Sequence, residues 1–248
     1  MVTLIDPIML AAGAMAFTPT LILMYAIVRN YTYPKVEQPF FSDPRFFWLF
    51  VIGLIAGTLL FTFYTYLTSA SDLVLLIYRV LFAVVQVLAM VMILNLKRFH
   101  GKSDTVFYGY ALGLGVGCTM AFGTIYYYAT LISAAEDVTE AGLAEYIWFV
   151  LIALAYILVL SAIGTTIGEG IARKRPWEFA MQAIMINAVF SLILWAAFSA
   201  DAVALYICLV FALIVAAVYF YYIMHLKLAG VVRDVLRSEG IKRKDIPK

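Results

Sequence analysis

Charge is scarce in this chain. Of its 248 residues 13% are charged and 65% are hydrophobic. Soluble domains carry about 25% charged residues, so a globular protein with a polar surface is excluded and an integral membrane protein is implied. Cysteine is nearly absent. Cys118 and Cys208 both lie in apolar runs; they fit neither a disulfide framework nor a zinc site, and read as small core residues. The two histidines, His100 and His225, stand at the ends of such runs, and no carboxylate lies near the middle of one. These gaps exclude chemistry. A zinc protease has no ligands here, and an aspartyl intramembrane protease has no dyad. A retinal-binding seven-helix protein needs a lysine inside its last span, and Lys227 lies beyond it. Proton-coupled transport lacks its mid-membrane acid.

What the chain has is length of apolar run. A membrane span needs about 20 mostly apolar residues, and seven runs qualify: 8–28, 46–67, 73–94, 105–132, 146–168, 179–198 and 202–224. The first is too long for a signal peptide and nothing basic precedes it. Of the 17 Lys and Arg, 16 fall in 29–45, 95–104, 169–178 and the tail from His225. Alternate connections carry none, so an odd number of spans separates the termini. Positive segments stay cytoplasmic, which predicts an all-α bundle of seven transmembrane helices, N-terminus outside and C-terminus inside. Residues 1–224 form the transmembrane domain and 225–248 a basic cytoplasmic tail. In the tail, Leu228, Val231, Val232, Val235 and Leu236 have helical spacing, with Arg233, Asp234 and Arg237 opposite. This segment extends the last span or lies on the inner leaflet. Lys242, Arg243, Lys244 and Lys248 favour anionic lipid or simply hold the topology. The acidic segment 133–145 has the makings of a short surface helix. The basic residues serve topology, so nucleic acid is not a partner.

Within the spans two features stand out. Arg79 is the one basic residue inside an apolar run; it either snorkels outward, the simpler reading, or is buried against a carboxylate or carbonyl. Gln86, Gln182, Asn187, Ser161, Thr165 and Thr166 are further interior polar residues, of the kind that usually hold helices together. The second feature is the stretch YGYALGLGVG, in which Gly109, Gly113 and Gly117 recur at every fourth residue. Helical periodicity puts them on one stripe. Glycine weakens a helix, but a stripe of it lets another backbone approach closely, which is how helices associate in lipid. Gly115 and Gly123 add a second slot. The partner helix is either internal or foreign.

The order of these features resembles the superfamily that joins the PrsW membrane proteases with the anterior-pharynx-defective scaffold subunits of γ-secretase. MAFTPTLIL in the first span places Pro19 as that family places a proline; YGYALGLGVG is similar to the glycine helix of both branches; GTTIGEGIARKRPWE resembles the family's small-residue exit into a basic loop; and AMQAIMINAVFSLIL stands where the family has a late histidine helix. The departures are as informative. Where the proteases carry paired glutamates the chain reads FAVVQVLAM, with Val85 and Gln86 closest. The fourth-span glutamate corresponds to about Met120, or Phe122 if shifted by two, and the two histidines to about Ala162 and Asn187. The scaffold branch keeps those histidines, and this chain lacks them.

A hydrolase without acid, base or metal ligand has nothing with which to activate water. The expectation is therefore a non-catalytic scaffold of the PrsW-like fold in the cell membrane, binding transmembrane helices of a partner or of itself, with an intramembrane protease among the partners the resemblance implies. Gly109, Gly113 and Gly117 are the candidate packing or contact stripe, and Arg79, Gln86 and Asn187 the candidate interior polar groups. No metal or cofactor is implied. Two alternatives remain open: a residual intramembrane protease, and a binding or transport protein for an apolar or neutral solute.

Overall fold

The computed structural model describes residues 7–33, 35–36, 39–67, 72–136, 143–199, 202–238 and 240. The described residues contain no strand. The helices are α1 (Pro7–Tyr31), α2 (Asp43–Leu67), α3 (Asp72–Leu94), α4 (Asp104–Glu136), α5 (Leu143–Ala172), α6 (Pro176–Phe198), α7 (Ala202–Tyr221) and α8 (Leu228–Ser238), with a 3-10 turn at Lys97–Phe99. Seven of them are long and apolar enough to cross a membrane. At 1.5 Å per residue the 33 residues of α4 span about 50 Å, well beyond the roughly 30 Å of a bilayer's hydrocarbon.

Hydrophobicity does not decide which helix is central, because every span is apolar on all sides. Side-chain size does. In α4, 89% of the spanning window is buried, against 17% for the last span. α4 carries four glycines between Gly109 and Gly117, and it lies between α5 and α2 with α1 against it. α3 and α6 pack on each other, and α7 flanks α5 and α6.

The last span does not stop at 224. α7 runs through a π turn at Tyr222–Lys227 directly into α8. Of the two arrangements left open for the tail, it is the helical extension. All five apolar residues of α8, Leu228, Val231, Val232, Val235 and Leu236, are buried, while Arg233, Asp234 and Arg237 are exposed. The 225–248 boundary is therefore no break in the helix. Of the segment 133–145 expected to form a surface helix, 133–136 end α4 and 143–145 begin α5; residues 137–142 and the basic residues from Lys242 onward lie outside the described residues.

The basic segments meet at one end. The Gly101 amide donates to the Ile171 carbonyl at 3.4 Å, joining the α3–α4 and α5–α6 connections. The α1–α2 connection reaches the same end: the Tyr108 hydroxyl accepts from the Ser42 amide at 3.2 Å, and Phe40 and Phe41 stack about Phe107.

Candidate functional site

The glycine stripe faces the chain's own α5. A Cβ on Gly109 would strike the Gly164 carbonyl, one on Gly113 the Leu160 carbonyl, and one on Gly117 would come within 3.0 Å of Ile157 Cα. The fit is reciprocal. A Cβ on Gly164 would sit 2.9 Å from Gly113 Cα, and one on Gly168 would lie 2.6 Å from the Thr105 carbonyl. Two small-residue stripes thus interlock backbone to backbone. Gly115 turns the other way, where Gly53 of α2 meets it, and Gly123 faces the Phe61 ring. All three stripe residues are buried, so the stripe is occupied from within and offers no surface to another chain. What the sequence reading missed was the complementary stripe, Ser161, Gly164 and Gly168, spaced three and four residues apart one span later.

Arg79, Gln86 and Asn187 converge, whereas Ser161, Thr165 and Thr166 lie elsewhere in α5 and Gln182, expected inside, is exposed. α3 supplies Arg79 and Gln86, α6 supplies Asn187 and Ser191, and all four line one recess with Tyr64, Phe82, Met120, Tyr156 and Leu194. The void it encloses is about 10 Å³, room for one water-sized occupant. Asn187 Nδ2 donates to Gln86 Oε1 at 2.9 Å and to the Ala83 carbonyl at 3.0 Å, tying α6 to α3. Gln86 Nε2 is left without a partner, and so is Arg79 Nε. Gln86, Met120 and Asn187 all line this one recess, and none of them carries an ionisable group.

Arg79 does not snorkel. It is 5% exposed, with its guanidinium 5.2 Å from the Tyr64 ring centroid and 5.6 Å from that of Phe198. The hydroxyls of Tyr64, Tyr128 and Tyr156 lie within electrostatic reach of it. Among the described residues it makes no ion pair. The simpler sequence reading is corrected by these aromatics: they close over the side chain before it reaches the surface. Each cation–π contact returns about 0.5–2 kcal/mol. Burying an ion costs several kcal/mol even after relaxation. The rings and a hydrogen bond with the Tyr128 hydroxyl offset part of that cost, and no carboxylate among the described residues adds to them.

A second polar centre, at the basic end, was not anticipated. Glu169 of α5 is 3% exposed. Its Oε2 accepts from Lys227 Nζ at 2.7 Å and its Oε1 from Arg173 Nε at 2.9 Å; Arg173 Nη2 continues to Asp234 at 3.3 Å. The chain of pairs pins α5 to the π turn and to α8. Beside it the hydroxyls of Thr166 and Tyr219 are 2.7 Å apart. π turns are rare and concentrate at functional sites; this one delivers Lys227 to Glu169. Between the α5–α6 turn and α8 opens a cleft of about 640 Å³, walled by Arg173, Lys174, Arg175, Glu178, Gln182 and Asp234. Its cations are largely matched by its own acids, since Arg175 pairs with Glu178 at 3.6 Å. Sequence order gave one clue, an acid inside the small-residue exit of the fifth span. Of its two partners Arg173 is four residues on, and Lys227 lies in the π turn of the last span.

Among the described residues no three His, Cys, Asp or Glu side chains group as metal ligands. Searches of protein-family models, curated proteins and solved structures return no match to this chain.

Proposed function

We propose that the chain is a non-catalytic, helix-binding subunit of the cell membrane, with its N-terminus outside and its basic end in the cytoplasm. The observation that carries this reading is the recess. A hydrolytic centre needs room for water and a group to activate it. Here the space is about 10 Å³, and the side chains that meet are amides, a thioether, hydroxyls and a guanidinium. Asn187 donates to Gln86 and to the Ala83 carbonyl, as a tie between helices does. The resemblance to the scaffold branch points the same way. The gathering of the basic connections at one end supports the orientation.

Partner contact belongs to the outer faces, since the glycine stripe is taken. On α1, a Cβ on Gly13 would meet nothing within 4 Å, and the neighbouring Ala14 and Thr18 are exposed. Small residues facing lipid let a foreign helix approach as α5 approaches α4. The test is capture of the tagged chain from its native membrane in mild detergent, with Gly13→Leu alongside. The parent is expected to bring down a defined membrane partner, and Gly13→Leu to lose it while melting as the parent does. A parent that purifies alone contradicts the proposal. So does cleavage of a single-span substrate by the reconstituted chain, if Gln86→Leu abolishes it.

A further inference from the structure

We propose that the recess at Arg79 binds a single monoatomic anion of the halide class, with chloride as the abundant member. The argument is independent of the helix-binding role and goes beyond it. Arg79 places a guanidinium in the interior, is 5% exposed, and has no carboxylate partner among the described residues. Two buried donors at the site, Arg79 Nε and Gln86 Nε2, find no acceptor. Gln86 Oε1 accepts from Asn187, while the Nε2 of the same amide is left unpartnered. Among the described residues the site therefore holds two unpartnered donors and one cation without a carboxylate; the Tyr128 hydroxyl bonds to that cation but carries no charge.

Size selects among the occupants. The void admits one atom-sized guest. A carboxylate or phosphate, whether free or on a lipid headgroup, would need α3 and α6 to part, breaking the bond from Asn187 to Gln86. A water molecule fits and accepts from the donors, but brings no charge. A halide is the smallest guest that also brings the missing charge, and it can accept from an unpartnered donor of the recess once the side chains around the void move outward. Tyr64 and Tyr156, which line the same recess, add hydroxyl donors that can turn toward it.

The experiment follows thermal unfolding of the full-length protein at constant ionic strength while chloride is replaced stepwise by gluconate, which is too large for the void. The midpoint is expected to rise saturably with chloride and with bromide, by roughly 5–10 °C at a hundred times the half-saturating concentration. Arg79→Gln is expected to abolish the rise. Equal midpoints in chloride and gluconate overturn the proposal and assign the void to water. An undiminished chloride response in Arg79→Gln overturns it too. Should that variant fail to fold, the parent decides: crystals grown with bromide carry an anomalous peak between Arg79 and Gln86 if the proposal holds, and none if it does not.

Discussion

Glycine can raise or lower stability according to what its missing Cβ would meet, and two positions in this chain predict opposite signs. At Gly113 a methyl group would strike the Leu160 carbonyl, a backbone atom that cannot swing aside. Gly113→Ala gains up to about 1 kcal/mol of helix propensity but forces two locked helices apart, at about 1–3 kcal/mol. Net destabilisation is expected. Gly13 faces open space, so Gly13→Ala keeps only the propensity gain and is expected to stabilise. Parallel melts of the two variants check the pair, and a loss at Gly13 would refute the description of α1. At Glu169 the expectation rests on charge. Removing one member of a fully buried ion pair costs about 3–5 kcal/mol. The side chains of Lys227 and Arg173 are 27% and 33% exposed and recover some hydration. Glu169→Ala is therefore expected to cost less, roughly 2–3 kcal/mol. Asn187→Leu removes a tie of the kind worth about 0.6–1.7 kcal/mol in membranes. A denaturant series that ranks Asn187→Leu above Glu169→Ala would contradict this account.

Among the elements, α8 depends most on a single face. Its five buried apolar residues hold it against the bundle, and Asp234 adds the ion pair to Arg173. Val232 is fully buried. Val232→Asp places a charge there without a partner, so α8 is expected to detach while the spans stay folded. Trypsin then cuts at Arg233 or Arg237 in the variant and spares them in the parent. The seven spans and the apolar face of α8 were legible in the sequence for one reason: bilayer thickness and helical period impose themselves on every run of residues. The α1–α8 boundaries moved only by a few residues, except where α7 continued into α8. The pairing of α4 with α5 was half legible. Gly109, Gly113 and Gly117 announced a close approach but not its partner, because a small-residue stripe carries no address. The recess was legible as a set of polar residues, Arg79, Gln86 and Asn187, without any sign that they meet. Glu169 was the least legible. It reads as an ordinary span-end acid until the π turn brings Lys227 onto it.

At the scale of the molecule, two polar centres divide the work along the bundle. One, at the basic end, couples α5 to α8 through Glu169; the other joins α3 to α6 through Asn187 and encloses Arg79. Between them α4 and α5 form an interlocked axis whose glycines are fully used inside the chain. With the glycines of that axis used inside the chain, contact with another helix is left to the periphery, where α1 and the last span have only 22% and 17% of their spanning windows buried. The central claim is that a foreign helix covers part of that periphery at Gly13. Native mass spectrometry of the complex, released from its own membrane in a lipid nanodisc, tests this most directly. The account predicts a species heavier than the 27.7 kDa chain by the mass of a defined membrane protein, which Gly13→Leu reduces to the bare chain. A bare 27.7 kDa monomer from the parent, or a complex that Gly13→Leu leaves intact, would contradict it.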